Sequence, residues 1–332
     1  MTIRLVSVIV ITYNRTALLS QNIQALLNQT LDKDVKMEII IVDDCSTQEN
    51  KDKSLFIANQ FEQVRIVFNS INKGRSGSRN IGASYANGEY LLFLDDDIIV
   101  DTFYVMGHLS ILASHARVAT VGSLQFPPEL TSRNNLMKYL SSRELRQRKL
   151  DSVFLNDLPP QYFGSGICGL RTSDFLKVGG FNESFTFYGG EDIQFGYLLK
   201  RAGICIRYSS EAQANHYDTV NFDRYRLKFM EAGREGVRLI LNTDSHFFDN
   251  LTMRFLLPST KTEPIVEKVK KFAVHIFLNK WTELIIRIIA KLTNHYHFLY
   301  SKYIYHVLFA CWIRAGLRED ISKEKSKVNY SN

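Results

Sequence analysis

Gly88-Glu-Tyr-Leu-Leu-Phe-Leu-Asp-Asp-Asp-Ile-Ile-Val100 is the stretch that decides the fold. Its apolar run, Tyr90–Leu94, follows an Asn-Gly turn signal and predicts a buried central strand. The run ends abruptly in three acids, Asp95, Asp96 and Asp97. Because ligands of open α/β sheets bind at the carboxyl ends of the strands, these acids are predicted to lie at a binding site.

The acid triplet predicts a cation site. Three adjacent carboxylates repel one another, and the hydrophobic residues on both sides limit their solvation. A divalent ion would relieve the repulsion. Ligands that are all oxygen select a hard ion such as Mg²⁺ or Mn²⁺, which commonly binds substrate phosphates as well. The alternative is a solvated acidic turn after the strand, and the triplet alone leaves both interpretations open.

The composition is that of an ordinary globular protein. With 332 residues, 45% hydrophobic and 23% charged, the chain has room for one large α/β domain plus an appendage, or for two domains. Four widely spaced cysteines without a Cys-x-x-Cys pair suit a reducing compartment. No signal peptide is expected, because the apolar segment at residues 6–11 is short and leads directly into polar sequence. We therefore expect a cytoplasmic protein.

Further buried strands are predicted on the amino-terminal side of the triplet. Short apolar runs cover Leu5–Thr12, Met37–Val42 and Val64–Phe68. A basic, glycine-containing loop, Lys73–Asn80, opens a helix that extends to Tyr85. Alternating strands and helices predict a doubly wound α/β fold. The sequence has no G-x-x-x-x-G-K-[ST] motif, and no G-x-G-x-x-G follows the first strand, which disfavours a P-loop and a dinucleotide fold.

Four short motifs resemble those of family 2 glycosyltransferases of the GT-A fold. They are SVIVITYNR at 7–15, IIIVDD at 39–44, GSRNIG at 77–82 and LDDD at 94–97, and their order and spacing make the resemblance specific. The resemblance implies a doubly wound mixed sheet flanked by helices. It also implies a nucleotide-sugar donor, a UDP-sugar, at the carboxyl edge of that sheet.

The same resemblance implies roles for single residues. Asp43 or Asp44 would hold the uracil or the ribose. The triplet corresponds to the family's D-x-D motif, which implies Asp97 as the first candidate for a direct metal ligand and places Asp95 and Asp96 on ribose or metal. Arg79 either faces the nucleotide or forms a structural salt bridge. The residues implied at the nucleotide-sugar are Thr12, Tyr13, Asn14, Arg15, Asp43, Asp44, Arg79, Asp95 and Asp96.

The segment Tyr188-Gly-Gly-Glu-Asp192 predicts the acceptor side. Its two acids fall in the first turn of a predicted helix, behind two glycines that allow a close backbone approach. It resembles the G-G-E-D segment of galactosyltransferase-type members, which implies Asp192 as the catalytic base with Glu191 beside it. Tyr188, Gly189 and Gly190 would contact the acceptor, although such relatives often have Trp in place of Tyr188. Alternatively, both acids only complement the helix dipole, worth ~0.3–1 kcal/mol.

The implied reaction is a single inverting displacement. Asp192 would take a proton from a hydroxyl of a glycan or lipid-linked saccharide while that oxygen attacks the anomeric carbon. The metal at Asp97 would neutralise the departing diphosphate. A retaining GT-A transferase is the nearer alternative. A sugar-nucleotide pyrophosphorylase is less favoured because no G-x-G-T-R-like loop lies near the first strand, and a non-catalytic relative would be expected to lose these carboxylates.

His216, in the segment ANHYD downstream of the acidic pair, is a further candidate for a metal ligand. Several GT-A enzymes place a metal-binding His in this region. An ordinary hydrogen-bonded His is the competing interpretation, and both stay open. Asp218, two residues further on, would orient the imidazole in either case.

The predicted domains are a GT-A catalytic domain at 1–257 and a basic helical region at 258–332. Within the first, 1–125 form the nucleotide-sugar half and 126–257 the acceptor half. The apolar runs of the last region are shorter than the ~20 residues that span a bilayer. Residues 265–320 therefore either lie on an anionic membrane surface, at the inner face of the cell membrane, or pack on the catalytic domain or another subunit. No nucleic-acid partner is expected, and the oligomeric state stays open.

Overall fold

Eight strands form one mixed sheet in the computed structural model, which describes residues 4–145, 150–218, 221–244, 247–249 and 252–319. The strands are β1 (Arg4–Thr12), β2 (Val35–Asp43), β3 (Val64–Phe68), β4 (Tyr90–Asp95), β5 (Ile98–Val100), β6 (Val118–Gln125), β7 (Ile167–Arg171) and β8 (Cys205–His216). Across the sheet they stand in the order β3-β2-β1-β4-β7-β6-β8-β5. Strands β1 to β4 pair in parallel, whereas β7 is antiparallel to both of its neighbours. This doubly wound mixed sheet confirms the predicted fold class.

Helices connect the strands and continue after the sheet. A π-helical turn, Ala232–Gly236, separates the helix Phe222–Glu231 from the helix Val237–Thr243. The predicted C-terminal helices are confirmed, and they are the last three helices of the chain. In chain order the helices are α1 (Leu19–Leu27), α2 (Gln48–Ala58), α3 (Gly74–Tyr85), α4 (Tyr104–Ser114), α5 (Pro128–Thr131), α6 (Asn135–Ser141), α7 (Ser152–Asn156), α8 (Thr172–Val178), α9 (Glu191–Arg201), α10 (Phe222–Glu231), α11 (Val237–Thr243), α12 (Ile265–Phe277), α13 (Lys280–Thr293) and α14 (Lys302–Arg318).

The central strands β1 and β4 are apolar over most of their length because both faces of the sheet are covered. In β1, Val8 packs in the cluster that contains Ile23 of α1, whereas the adjacent Ile9 packs in the cluster that contains Phe93. All four side chains are fully buried. Each such burial stabilises the fold by about 1.5–3 kcal/mol. The continuous apolar run is therefore a direct consequence of the two-sided core.

The predicted loop Lys73–Asn80 is corrected by the structure, since α3 already begins at Gly74. Glycine and serine have low helix propensity and disguised the first turns of this helix. Later in the same helix a glycine permits close packing on the sheet, because a Cβ at Gly82 would lie 2.3 Å from the side chain of Ile9. Arg79 lies on the same buried face of α3.

The chain divides into two compact units. The first comprises Met1–Thr131, Leu140–Thr186 and Glu191–Thr219 and holds the sheet. The second comprises Ser132–Tyr139, Phe187–Gly190 and Val220–Asn332 and holds α10 to α14. This division places α10 and α11 in the same unit as the C-terminal helices. The predicted domain boundary after residue 257 stays a prediction. Among the described residues, no helix is both long enough and apolar enough to cross a bilayer.

Within the second unit, α14 packs unusually closely against α10 and the π-helical turn. A Cβ at Gly316 would lie 1.9 Å from the carbonyl oxygen of Met230, and one at Gly233 would lie 2.1 Å from that of Ile313. The rings of Phe229 and Phe309 are 4.3 Å apart between centroids. This contact gives the basic C-terminal region a core of its own.

Candidate active site

The carboxyl ends of three neighbouring parallel strands bring the predicted acids to one edge of the sheet. Thr12, the last residue of β1, is opposite Asp43, the last residue of β2. On the other side of β1, Ile11 is opposite Asp95 at the end of β4. The expectation that these acids share one edge is met by the strand register.

Two loops turn sharply at this edge. Asn14 and Cys45, each two residues beyond its strand, have φ values of 52° and 64°. Residues other than glycine rarely adopt this left-handed conformation, and such residues concentrate at functional sites. The Asn14 N–H donates to Ser46 Oγ at 2.8 Å, and Asn14 Oδ1 accepts the Thr47 N–H at 2.8 Å, so the two loops are tied together. Tyr13 beside them is 49% exposed and presents its ring to solvent.

Asp43 and Asp44 are buried and hold the backbone of this edge. Asp43 Oδ1 accepts the Ser46 N–H at 2.8 Å. Asp44 Oδ1 accepts hydrogen bonds from Asn69 Nδ2 at 2.9 Å and from the Lys73 N–H at 2.7 Å. Asp44 thus fixes the segment that leads into α3. Their predicted contacts with uracil or ribose stay a prediction.

Asp96 is a buried carboxylate at the end of β4. It is 5% exposed, and its Oδ2 accepts a hydrogen bond from Thr12 Oγ1 at 2.7 Å. Arg15 Nη1 lies 3.6 Å from its Oδ1. Burial raises the pKa of Asp96 to about 7; the charge of Arg15 opposes this rise and that of Asp97 adds to it. A carboxylate in this state is costly at neutral pH unless more positive charge arrives.

Asp97, His216 and Asp218 form a three-residue cluster with their ligand atoms all within 4.8 Å of one another. Strand pairing assembles it: β5 runs antiparallel to β8 with Ile98 opposite His216, and the Tyr217 N–H donates to the Asp97 carbonyl at 2.8 Å. His216 Nε2 lies 3.4 Å from Asp97 Oδ2.

Charges around Asp97 keep it ionised. Burial alone would raise the pKa of Asp97, but the hydrogen bond and charge of His216, together with Arg15, outweigh it and hold the pKa well below its usual range. Reciprocally, burial would lower the pKa of His216, yet the contact with Asp97 raises it. The guanidinium of Arg15 contacts Asp97 directly. Asp97 is thus an ionised, buried carboxylate that is paired with Arg15 and His216.

The donor set of this cluster fits a divalent cation. Two carboxylates and one imidazole are ligands that Mn²⁺ accepts well, and Mg²⁺ shares its preference for oxygen. The His216 ring packs 4.9 Å from the ring of Phe126, which limits its orientation. Asp218 was predicted only to orient the imidazole. Its spacing of two residues from His216 is the signal that it shares the same face of an extended chain.

Asp95 lies apart from that cluster and faces Arg79 instead. Arg79 Nη2 donates to Asp95 Oδ1 at 2.8 Å, and Arg79 is 1% exposed. A Cβ at Gly166 would lie 2.6 Å from Asp95 Oδ2, so the glycine leaves room for this carboxylate. The salt-bridge interpretation of Arg79 is therefore seen in the structure. The roles of Asp95 and Arg79 toward a donor or a metal stay predictions.

Glu191 and Asp192 begin α9, and Glu191 faces the same arginine. Glu191 is 4% exposed, and its Oε1 lies 3.9 Å from both Arg79 Nη1 and Arg75 Nη1. Asp192 is partly exposed, and its Oδ1 accepts the Ile193 N–H at 2.8 Å. Burial, and then the charge of Glu191, raise the pKa of Asp192 to about 7. Such a carboxylate is suited to accept a proton near neutral pH.

The other residues predicted to contact the acceptor, Tyr188, Gly189 and Gly190, belong to the second unit. Gly189 and Gly190 have φ values of 92° and 104°, which glycine alone adopts readily. A Cβ at Gly236, in the π-helical turn, would lie 2.3 Å from the Gly189 carbonyl oxygen. Lys228 Nζ lies 4.9 Å from the centre of the Tyr188 ring. Their predicted contact with an acceptor stays a prediction.

Two models of known protein families match the part of the chain that contains these residues. The model of Glycosyl transferase family 2 matches residues 7–171, and that of the N-terminal domain of galactosyltransferase matches residues 147–221. The two matches together contain the acid triplet and the Glu191-Asp192 pair. The chain belongs to glycosyltransferase family 2. The resemblance stated from the sequence is thereby confirmed.

Two curated relatives of this transferase are similar over slightly less than two thirds of its length. Validoxylamine A glucosyltransferase of Streptomyces hygroscopicus subsp. jinggangensis (strain 5008) is 30% identical over 239 residues, which cover 63% of this chain and 54% of the relative. Chondroitin synthase of Escherichia coli is 27% identical over 244 residues, which cover 64% of this chain and 34% of the relative. The transferase thus spans about half, or less, of the length of these relatives.

A solved structure supports the fold of the transferase. A mannosyltransferase from Pyrobaculum calidifontis, in complex with GDP-Man and Mn²⁺, is similar with a TM-score of 0.58 at 14% identity, over 94% of this chain and 85% of the other. At this low identity the similarity concerns the fold alone. The predicted GT-A fold is confirmed.

Proposed function

We propose that this transferase moves a sugar from a UDP-sugar to a hydroxyl of a glycan or lipid-linked saccharide, with inversion at the anomeric carbon. One observation carries the proposal. The buried Arg79 lies 2.8 Å from Asp95 Oδ1 in the acid triplet and 3.9 Å from Glu191 Oε1 in the first turn of α9. A site for the donor diphosphate and a carboxylate base would then be neighbours, as sugar transfer requires.

The nucleotide would bind at the carboxyl ends of β1 and β2. Tyr13 supplies an exposed ring on which a base stacks. Asp44, which fixes the start of α3, and the adjacent Asp43 would receive the polar groups of uracil and ribose. The left-handed turn at Asn14 shapes this pocket. These assignments rest on the position of the residues and on their correspondence to the family motifs.

A divalent cation, Mn²⁺ or Mg²⁺, would be held by Asp97, His216 and Asp218. When bound, the cation neutralises the negative charge of the donor diphosphate. Arg15, which contacts Asp97 and lies 3.6 Å from Asp96, is placed to share that task.

Asp192 would act as the general base. It accepts the proton of the acceptor hydroxyl, and the acceptor oxygen forms a bond to the anomeric carbon on the face opposite the diphosphate. The bond between that carbon and the diphosphate breaks, so UDP leaves with the electron pair. Because burial and Glu191 raise its pKa to about 7, Asp192 holds the accepted proton well enough to assist. Such assistance is worth about 10²–10⁴-fold in rate.

A panel of nucleotide sugars tests the donor. Thermal unfolding of the full chain is followed with UDP-glucose, UDP-galactose, UDP-N-acetylgalactosamine or GDP-mannose, each in Mn²⁺ or in EDTA. A UDP-sugar at about 100 times its Kd stabilises the protein by about 2.7 kcal/mol, and we expect this only with Mn²⁺. Protection by GDP-mannose alone, or by none of the four, would contradict a UDP donor.

The stereochemistry requires a separate measurement on the product. The anomeric configuration of the new linkage is read by NMR from the coupling of its anomeric proton. Inversion relative to the donor is the expected result. Retention would replace the inverting displacement with a retaining mechanism on the same fold, and it would remove the role of Asp192 as a base for the acceptor.

A further inference from the structure

Helix α13 turns an apolar stripe outward. Trp281, Ile285, Ile288 and Leu292 follow one another at the spacing of one helix face, and they are 63%, 56%, 49% and 69% exposed. In a helix that packs on a protein core, such a row faces inward. Here the row is open to solvent.

Helix α12 repeats the pattern with the same spacing. Ile265, Val269, Phe272 and Ile276 are 77%, 60%, 66% and 58% exposed. We call these two rows of four side chains the apolar stripes. Isolated exposed apolar residues are normal, but two consecutive helices with complete exposed rows indicate an interaction surface.

On each helix one ion-paired group of side chains points away from the apolar row. Glu283 of α13 accepts a hydrogen bond from Trp312 Nε1 at 2.9 Å and pairs with Arg287 Nε at 3.0 Å. In α12, Lys271 is 5% exposed and donates to Glu263 Oε1 at 2.6 Å. The helices are therefore inverted relative to ordinary surface helices, with ion pairs inside and apolar rows outside.

The exposed charge beside the stripes is positive. Lys270, Lys280 and Lys291 are exposed, and Lys280 Nζ lies 5.2 Å from the centre of the Trp281 ring. Two of these lysines also have an acidic partner, since Lys270 Nζ lies 2.9 Å from Glu267 Oε1 and Lys291 Nζ lies 3.2 Å from Asp223 Oδ1. Between residues 258 and 319 there are ten Lys and Arg against four Asp and Glu, which is most of the chain's net charge of +7. Two copies facing each other here would bring like charges together. Basic residues around apolar and aromatic side chains are instead complementary to an anionic lipid surface.

The dimensions exclude a spanning helix and suit an interfacial one. Helix α13 has 14 residues and is therefore ~21 Å long, shorter than a bilayer core of ~30 Å. A helix of this kind lies in the plane of the interface, with its apolar face inserted and its lysines among the headgroups.

We propose that α12 and α13 attach the transferase to an anionic phospholipid bilayer through the two apolar stripes, with Lys270, Lys280 and Lys291 at the headgroups. The proposal is independent of the donor, the metal and the catalytic base. It places the protein on a membrane surface, where a lipid-linked acceptor would be found.

Co-sedimentation of the full chain with vesicles tests the proposal. Vesicles of phosphatidylcholine with phosphatidylglycerol are compared with vesicles of phosphatidylcholine alone, at low and high salt. We expect binding to the anionic vesicles, at least about tenfold weaker binding to the neutral ones, and a loss of the difference at high salt. No sedimentation with anionic vesicles, or equal binding to both kinds at low salt, would overturn the proposal.

Two variants locate the contact. I285E/L292E should reduce the partition onto anionic vesicles by about a hundredfold, since two apolar side chains no longer insert. The matched control is Phe56→Glu on α2, a change of the same kind at a residue that is 71% exposed, and it should bind as wild type. K280Q/K291Q leaves the stripes intact and should weaken binding about fivefold for each lysine. Wild-type binding by both double variants would overturn the assignment.

Lipid-free sedimentation equilibrium separates a membrane from a second copy of the chain. We expect a monomer for wild type and for I285E/L292E alike. A wild-type dimer that I285E/L292E dissociates would show that the stripes bind each other, and it would overturn the membrane proposal. Circular dichroism of each variant confirms that the helices are retained.

Discussion

Arg79 Nη2 donates a hydrogen bond to Asp95 Oδ1 at 2.8 Å, and the arginine is almost completely buried in α3. The same guanidinium lies 3.9 Å from Glu191 Oε1 and 5.4 Å from the centre of the Phe181 ring. One cation thus joins the end of β4 to the start of α9. Because each of these carboxylates would be costly without positive charge, Arg79 holds together the two acidic segments on which the proposed chemistry depends.

Removing this cation should destabilise the fold. Arg79→Gln leaves Asp95 and Glu191 without their shared partner, so we expect a loss of about 3 kcal/mol in the free energy of unfolding. Urea denaturation measures it. Arg65→Gln is the matched control, because Arg65 is exposed above the Tyr85 ring and its loss should cost less than about 1 kcal/mol. Equal losses for the two variants would show that the contact with Asp95 contributes little.

The base is tested by Asp192→Asn. This change keeps the shape of the side chain but removes its ability to accept a proton. Donor binding should survive, whereas turnover should fall by about 10²-fold or more. Steady-state kinetics and calorimetric titration of the donor give the two quantities. Turnover near the wild-type value would exclude Asp192 as the base and make Glu191 the next candidate.

Turnover should also depend on pH. Burial and Glu191 raise the pKa of Asp192 to about 7, and the base works only when ionised. The single-turnover rate at saturating donor should therefore rise with pH through about 7 and then level off. Donor affinity measured over the same range separates this effect from the titration of Asp96. A rate that is constant between pH 5 and about 8 would contradict the assignment of the base.

Asp96 predicts a pH dependence of stability in the metal-free protein. Burial raises its pKa from 3.8 to about 7, so the folded state binds the proton more tightly than the unfolded chain. Its contribution is fully present below about pH 4 and is lost as pH rises through about 7. Asp96→Asn removes the cost of the charge and should be more stable than wild type by about 2–4 kcal/mol at pH 8, but not at pH 4. Denaturation in EDTA at both pH values measures this, and an equal difference at both would contradict the buried charge.

Much of the fold followed from local sequence. The runs of β1, β2 and β4 could be recognised because strands buried on both faces are apolar over most of their length, and β2 and β4 each end in an acid. Helix α3 was harder to place. Its first turns are rich in glycine and serine, which have low helix propensity, and the glycine that packs closely on Ile9, Gly82, comes only later in the helix.

The site was less predictable wherever it depends on contacts between distant segments. Asp97 meets His216 only because β5 pairs with β8, and no local pattern encodes that register. The same holds for the hydrogen bond from Thr12 to Asp96 and for the contact of Arg15 with Asp97. Sequence motifs identified the residues, whereas the choice of partner for each charge came from the fold.

The most direct test of this account is calorimetric titration of UDP into the full chain, in Mn²⁺ and in EDTA, for wild type, Asp97→Ala and Asp101→Asn. Asp101 is an exposed acid just beyond β5 and serves as the control. We expect wild type and Asp101→Asn to bind UDP tightly only with Mn²⁺, and Asp97→Ala to lose at least about tenfold in affinity with its fold intact. Wild-type affinity in Asp97→Ala, or equal affinity of the wild type in Mn²⁺ and in EDTA, would contradict a metal-assisted donor site at the acid triplet.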